Sequence, residues 1–194
     1  MKNEDIEKSA AVKVEVPDSG LTRRHWMVAG LGVAAGLAGV LVAWQKFQPH
    51  GVVDEAVQNF WTQEFEKPEG GTLAMKDLHG KPLLVNFWAT WCPPCIEELP
   101  LIDAFFNQNK AKSLQVVGLA VDQPSMVRRF LTQKPLGFPV GLAGFNGTEL
   151  GRSLGNAQSV LPFSVIFDAK GRLLAQKAGK LDQSDLDDWL KKIS

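Results

Sequence analysis

VNFWATWCPPC, residues 85–95, is the stretch of this 194-residue chain that decides the fold. The apolar run 82–89, which contains its first half, is typical of a strand that is covered on both faces of a sheet. From Pro94 onward, Cys95 and the apolar residues behind it recur at helical spacing, and proline is well tolerated in a first helical turn. We therefore predict a buried strand that is followed at once by a helix, with Cys92 at the helix N-cap.

The segments around this junction alternate between strand and helix patterns. The helix is expected to contain Pro100 and to bury one face, which carries Cys95, Leu99, Ile102 and Phe106. The other predicted elements are a strand or hairpin region at 60–79, a buried strand at 114–121, helices at 124–133 and 147–154, an extended segment at 138–143, a hairpin formed by 161–168 and 172–179, and a helix from 184 to 193. This alternation predicts an α/β fold with a mixed central sheet flanked by helices.

The N-terminal part of the chain contains a long uncharged stretch. Residues 26–44, which begin and end with tryptophan, would span roughly 28 Å as a helix, close to the thickness of a bilayer's hydrocarbon core. Arg23 and Arg24 precede the stretch, and Lys46 is the only Lys or Arg in the twenty residues after it. The positive-inside rule then predicts a single-pass transmembrane helix of the inner membrane, with residues 1–25 in the cytoplasm and the rest of the chain outside.

Two alternatives to a permanent anchor remain open at this point. A cleaved signal peptide would have a shorter apolar run, and no good A-x-A cleavage site follows residue 44. The Arg23-Arg24 pair also resembles a twin-arginine export signal. Paired arginines before a membrane helix are equally consistent with positive charges that set its orientation. We expect residues 45–58 to form a tether and residues 59–194 to form one globular domain on the oxidising, extracytoplasmic side.

Composition excludes several classes of protein. Lys and Arg number 21, as do Asp and Glu, so the net charge of zero offers no bulk attraction for nucleic acid. The 45% hydrophobic content is that of a globular protein rather than a disordered one. Two cysteines cannot form a disulfide-rich scaffold or complete a four-cysteine zinc site.

The two cysteines, Cys92 and Cys95, occupy a position where a thiol becomes reactive. At a helix N-terminus, free backbone N–H groups and the positive end of the helix dipole stabilise a thiolate, which is the form that attacks disulfides. We therefore expect Cys92 to be the exposed nucleophile at the tip of the helix. Cys95, one turn further on and partly covered, would resolve the mixed disulfide.

Three other roles for the pair fit less well. A structural disulfide that closes so short a loop would remove little entropy from the unfolded chain. A zinc site would need two more ligands, and the three histidines lie at the membrane flank, in the tether and in a turn, as His25, His50 and His79, so we expect no metal site. Buried inert cysteines would need no helix N-terminus, whereas CxxC between a strand and a helix is the expected redox context.

The segment 85–95 resembles the active-site segment of the thioredoxin superfamily, and specifically of its membrane-anchored TlpA/ResA-like branch. The likeness extends over about residues 60–193, and residues 122–160 match the central insertion of that branch. It implies a thioredoxin-like fold and disulfide exchange with no cofactor beyond the redox-active Cys92–Cys95 disulfide. It also implies a reducing role outside the cytoplasmic membrane.

The resemblance implies roles for residues around the cysteines. Leu161-Pro162 matches the loop in which the family has a cis-proline beside the CxxC motif, and an ordinary proline at a strand start is the alternative. Trp91 is the better of the two motif tryptophans for contacting a partner, because Trp88 lies inside the predicted strand. The candidate substrate-binding residues are therefore Trp91, Pro93, Pro94, Leu161 and Pro162.

Glu98 lies three residues after Cys95, one helical turn away on the same side. Reducing members of the family have a glutamate there that relays protons to the buried thiol, and a partly buried carboxyl has the raised pKa that suits this work. The alternative is a solvated glutamate like its neighbour Glu97. Asn86 stands where thioredoxin itself has a buried aspartate, which moves the relay role toward Glu98, and Ile96 stands where the branch often has a basic residue.

We predict a membrane-tethered thiol–disulfide oxidoreductase that reduces protein disulfides. Its electrons would come from a membrane donor of the DsbD/CcdA-like kind, because the compartment is oxidising, and the resemblance suggests apocytochrome c cysteines or a copper-site protein as targets. One alternative is a disulfide donor of the same fold, because sequence does not fix the reduction potential. The other is a copper(I) metallochaperone, because soft thiolates favour Cu(I).

Overall fold

The computed structural model describes residues 50–193, and it describes their side chains from residue 54 onward. The predicted cytoplasmic tail 1–25, the transmembrane helix 26–44 and the first residues of the tether lie outside the described residues. Within 50–193, none of the helices has both the length and the apolar character needed to cross a bilayer.

The described chain alternates between strands and helices as the sequence predicts. The strands are β1 (Glu64–Glu66), β2 (Thr72–Ala74), β3 (Leu83–Trp88), β4 (Gln115–Ala120), β5 (Val140–Leu142), β6 (Phe163–Phe167) and β7 (Leu173–Ala178). The α-helices are α1 (His50–Trp61), α2 (Pro93–Asn109), α3 (Pro124–Gln133), α4 (Asn146–Ser153) and α5 (Gln183–Ile193). Short 3-10 helices cover Met75–Leu78 and Lys110–Lys112.

The seven strands form one mixed sheet with the order β2-β1-β5-β4-β3-β6-β7. β3 is parallel to β4 and antiparallel to β6, and it therefore lies inside the sheet. All six residues of β3 are buried, which confirms the prediction of a strand covered on both faces. The thioredoxin-like α/β fold that the sequence predicts is present in the described residues.

The side chains of β3 alternate between the two halves of the core. Leu84 and Trp88 face the half that includes residues of α2, α3 and α5, whereas Val85 and Phe87 face the half that includes residues of α1. Because strand side chains alternate, Asn86 shares the face of Leu84 and Trp88 and points toward α2. This placement brings an amide from the middle of the sheet to the helix that carries the cysteines.

Two local expectations differ from the structure. Residues 50–58, predicted as part of a tether, form most of α1, and Val57 and Phe60 of that helix are buried in the core. In α2, Phe105 is buried and Phe106 is only half-buried, the reverse of the predicted pattern. The two phenylalanines are three and four residues after Ile102, and a 3.6-residue period falls between them, so spacing alone does not choose which one is buried.

Candidate active site

The two cysteines lie where β3 gives way to α2. Cys92 is the N-cap residue of α2, as predicted, with an extended backbone at φ −101° and ψ 100°, and Pro93 is the first helical residue. The Cys92 N–H donates to the Ala89 carbonyl oxygen, which turns the chain between strand and helix. Cys92 and Cys95 are joined by a disulfide with an S–S distance of 2.07 Å.

The expectation that Cys92 is exposed is wrong for this disulfide form. Cys92 retains only 4% of its accessible surface, and Cys95 retains none. The disulfide joins Cys92 to a fully buried residue, so both cysteines belong to the core half that contains α2. The remaining accessible surface of the pair therefore belongs to Cys92. An incoming thiolate can approach the disulfide only at that residue.

A buried carboxylate, Asp122, anchors the loop before Cys92. One of its oxygens, Oδ2, accepts hydrogen bonds from the Thr90 backbone N–H at 2.8 Å and from the Thr90 hydroxyl at 2.5 Å. The other, Oδ1, accepts from the Gln123 N–H at 2.6 Å. Sequence reasoning missed Asp122, although it comes two residues after β4, which is parallel to β3 and ends at the same edge of the sheet.

Glu98 is fully buried one helical turn after Cys95. Its Oε1 accepts a hydrogen bond from Asn86 Nδ2 at 2.7 Å, and its Oε2 accepts one from the Leu181 N–H at 2.7 Å. Burial is the largest influence and raises the pKa of Glu98 to about 7, while these two hydrogen bonds and the more distant Lys180 and Lys177 oppose the rise.

The neighbouring Glu97 has the opposite environment. Its side chain is 63% exposed and forms an ion pair with Lys180 at 2.8 Å. The two glutamates are adjacent in sequence, but the helix directs only Glu98 inward. The alternative of a solvated glutamate therefore describes Glu97 and not Glu98.

Asn86 connects Glu98 to the next strand of the sheet. Its Nδ2 also donates to the Ser164 hydroxyl at 2.9 Å, across the β3–β6 pair in which these two residues are register partners. Asn86 Oδ1 is buried and has no hydrogen-bond partner among the described residues. Sequence reasoning missed Ser164 and Leu181, which are 78 and 83 residues from their respective partners.

The predicted proline loop lies at the same end of the sheet as the cysteines. The Leu161–Pro162 peptide bond is cis, and Pro162 is buried. Phe163, which follows it, is the register partner of Phe87 near the end of β3. Pro162 therefore precedes β6 at the edge where β3 leads into Cys92.

The candidate partner-binding residues divide into two groups. Trp91 is 62% exposed and lines a cleft of about 230 Å³ together with Leu161 and Phe145, which is itself 74% exposed. Pro93 and Pro94 are exposed on the first turn of α2 and are not among the residues that line this cleft. Trp88 is fully buried, as its place inside the strand predicts.

His79 lies at the other end of the sheet, before β3, and its ring contacts that of Trp61 edge to face. It is therefore not brought to the cysteines. Within residues 50–193, no group of three or more His, Cys, Asp or Glu side chains is placed to hold a metal ion.

Comparison with known proteins assigns this architecture to a family. A family model described as Redoxin matches residues 52–190. The thiol-disulfide oxidoreductase ResA of Bacillus thuringiensis subsp. konkukian is 32% identical over 127 residues, which are 65% of this chain and 71% of that protein. ResA of Bacillus anthracis is 33% identical over 129 residues, with the same coverage of both chains.

A solved structure shows the same fold. The thiol:disulfide interchange protein of Chlorobium tepidum TLS, a thioredoxin family protein, superimposes with a TM-score of 0.58 and 27% identity, covering 68% of this chain and 92% of that one. These matches confirm the resemblance found in residues 85–95. The chain belongs to the Redoxin family, and it is a thiol–disulfide oxidoreductase of the TlpA/ResA-like kind within the thioredoxin superfamily.

Proposed function

We propose that the Cys92–Cys95 pair is the redox centre and that it reduces disulfides in partner proteins. The observation that carries this proposal is a disulfide at a helix N-terminus, one turn from a buried carboxyl with a pKa of about 7. A thiolate at Cys92 would be stabilised by the helix dipole and by the free N–H groups of the first turn.

The first step is attack of the Cys92 thiolate on one sulfur of the partner disulfide. A new S–S bond joins Cys92 to the partner, the partner's S–S bond breaks, and its second sulfur leaves as a thiolate that takes a proton from solvent. Trp91 and Leu161, which line one cleft beside the motif, would contact the partner chain during this step.

The second step is resolution of the mixed disulfide by Cys95. The Cys95 thiol gives its proton to the Glu98 carboxylate, and the resulting thiolate attacks the Cys92 sulfur and displaces the partner's remaining sulfur. Two electrons have then passed to the partner, and the Cys92–Cys95 disulfide is restored. Glu98 suits this role because a carboxyl with a pKa near neutrality both accepts and releases a proton in that pH range.

We further propose that residues 26–44 anchor the chain in the inner membrane, with residues 1–25 in the cytoplasm and the redox domain outside. The uncharged length of that segment and the preceding Arg23-Arg24 pair support this topology. An anchored enzyme in an oxidising compartment would draw electrons from a membrane donor and act on secreted thiol proteins, of which apocytochrome c or a copper-site protein are candidates.

A trapping experiment tests the redox centre. The Cys95→Ser chain should accumulate mixed disulfides through Cys92, because the second step is blocked, and the Cys92→Ser chain should accumulate none. The wild-type chain, once reduced, should reduce the disulfides of insulin. No mixed disulfide with Cys95→Ser, together with no insulin reduction by the wild type, would contradict the proposal.

A further inference from the structure

A second cleft runs along α2 on a different side of the motif from the cleft of Trp91. It encloses about 380 Å³ between α2 and the segment that follows Phe130. Ile96, Pro100 and Ala104 line it on α2, and Phe130, Lys134 and Leu136 line it on the other wall. We call this cleft the α2 groove. The proposed mechanism does not use it.

The α2 groove begins beside the reactive cysteine. Cys92, Ile96 and Pro100 follow one another at four-residue spacing, which places them on the same side of the helix. The Ile96 N–H donates to the Cys92 carbonyl oxygen at 3.2 Å, so the spacing holds in the structure. At about 1.5 Å of rise per residue, the groove opens about 6 Å along the helix from Cys92.

The groove wall that contains Phe130 is packed against the core. The Phe130 ring lies 5.2 Å from the buried ring of Trp88, centroid to centroid. Trp88 in turn lies against Gly118 of β4, where an added Cβ would come within 2.9 Å of Trp88 Nε1. Phe130 is therefore packed against the strand that leads into the motif.

Two charged residues line the groove, Lys134 and Asp103. Lys134 is exposed, its Nζ lies 5.9 Å from the Phe130 ring centroid, and it forms no ion pair among the residues whose side chains are described. The other charged residue of the groove, Asp103, keeps its negative charge but is not ion-paired with Lys134: its Oδ1 accepts from the Gly137 N–H at 2.6 Å and its Oδ2 from Asn107 Nδ2 at 3.2 Å. The groove therefore offers apolar walls and one exposed ammonium group, that of Lys134, which has no ion-pair partner among the described side chains.

We propose that the α2 groove is a specificity site for the partner segment next to its reactive cysteine, binding an apolar side chain between Ile96 and Phe130 and a carboxylate at Lys134. This inference rests on the proposed function. An extended chain advances about 3.3 Å per residue, so a side chain about two residues from the attacked cysteine reaches Ile96. The occupant is a protein segment that combines an apolar anchor with an acidic residue.

Reversing the charge of residue 134 tests the proposed contact between Lys134 and a carboxylate of the partner. Three peptides each carry a cysteine in a mixed disulfide with glutathione and a leucine two residues from that cysteine. They differ in the residue after the leucine, which is Asp, Ser or Lys. The measured quantity is kcat/KM for reduction of each peptide by the reduced full chain. The wild type should have a higher kcat/KM for the Asp peptide than for the Lys peptide, and Lys134→Glu should reverse that preference. In each protein the kcat/KM ratio of the two peptides should differ from one by up to about fivefold. Lys112→Glu, an exposed charge outside the groove, is the matched control and should leave the preference unchanged.

A filled groove tests the apolar anchor. Ala104 is exposed on the groove wall, so Ala104→Trp should fold normally while occupying the space. The wild type should favour the leucine peptide over one with serine at the anchor, and Ala104→Trp should lose that preference while still reducing oxidised glutathione at the wild-type rate.

The two failures are distinguishable. If Lys134→Glu and Ala104→Trp leave every peptide preference as in the wild type, the groove proposal is overturned while the redox proposal stands. If the wild type reduces neither the peptides nor oxidised glutathione, the proposed function fails and the groove proposal fails with it.

Discussion

The two ends of the central sheet differ in how their polar groups are buried and hydrogen-bonded. At the end opposite the cysteines, Trp61 Nε1 donates to the Gly171 carbonyl oxygen at 2.9 Å, and Asp168 accepts from the backbone of Lys170 and Arg172 at the tip of the β6–β7 hairpin. Slight burial there favours a higher pKa for Asp168, but the hydrogen bonds outweigh it and lower the pKa.

The end that carries the cysteines buries groups that are costly to bury. Glu98 and Asp122 are both removed from solvent, Asn86 Oδ1 has no partner among the described residues, and Trp91 exposes an indole ring. An unpaired buried acceptor and a desolvated carboxyl each cost free energy of folding. One end therefore contributes stability by ordinary hydrogen bonding, whereas the other retains unfavourable features that proton and thiol chemistry would use.

The largest expected effect concerns the pH dependence of stability, which should originate at the cysteine end. The pKa of Glu98 is about 7 in the folded chain against an ordinary value of 4.5, so the folded state binds this proton more tightly than the unfolded state. The resulting stabilisation is complete below pH 4.5 and is lost as the pH rises through 7. A shift of this size corresponds to about 3 kcal/mol.

Urea unfolding of the oxidised chain at pH 5 and pH 8 measures this difference. Glu98→Gln should remove most of it, because glutamine does not titrate. Asn86, whose Nδ2 now donates to Glu98, can turn its amide over so that Oδ1, which has no described partner, accepts from the glutamine amide. Glu97→Gln is the matched control and should leave the pH dependence intact. Equal pH dependence in the wild type and Glu98→Gln would show that Glu98 is not the titrating group.

The next effect in size belongs to the opposite end. Gly171 has φ +76°, and an added Cβ would meet His79 Nε2 at 2.4 Å and Trp61 Nε1 at 2.9 Å. Gly171→Ala should therefore lower the free energy of unfolding by about 1–3 kcal/mol. The midpoint potential of the cysteines should not change, and a shifted potential would show that the two ends are coupled.

The smallest of the three effects concerns the anchor of the motif loop. In Asp122→Asn, an amide nitrogen replaces one of the oxygens that accept from Thr90 and Gln123, so a donor faces a donor. We expect a loss of about 1–2 kcal/mol in stability and a slower reaction with insulin. Asp168→Asn, which alters carboxylate contacts with backbone N–H groups at the opposite end of the sheet, is the control for activity. Insulin reduction at the wild-type rate by Asp122→Asn would show that the anchor does not position the motif.

The sequence predicts the strands and helices around the motif better than the side-chain contacts between them. The strand–helix junction at residues 85–95 and the helix at 124–133 follow from apolar runs and proline positions, which are local signals. The contacts of Glu98 with Asn86 and Leu181 join segments that are distant in sequence, and periodicity does not encode such pairs. Spacing alone does not decide whether Glu98 is a proton relay or a solvated glutamate like Glu97, and only the packing of α2 against β3 settles that it is buried.

The errors have similar causes. The sequence predicts residues 50–58 of α1 as tether because the contacts that hold this helix are distant in sequence: its Trp61–Gly171 hydrogen bond joins residues 110 positions apart. Cys92 was predicted to be exposed because the N-cap position suggests a surface location. The disulfide to the fully buried Cys95 explains why it retains so little accessible surface.

A redox titration of the purified full-length chain tests the central claim most directly. The fraction of alkylated Cys92 and Cys95 is measured across thiol–disulfide buffers of known potential at pH 7. We predict one reversible two-electron transition with a midpoint more negative than about −220 mV, as a reductant of protein disulfides requires. A midpoint near about −120 mV would identify a disulfide donor instead, and a disulfide that stays intact throughout would contradict the claim that this pair is the redox centre.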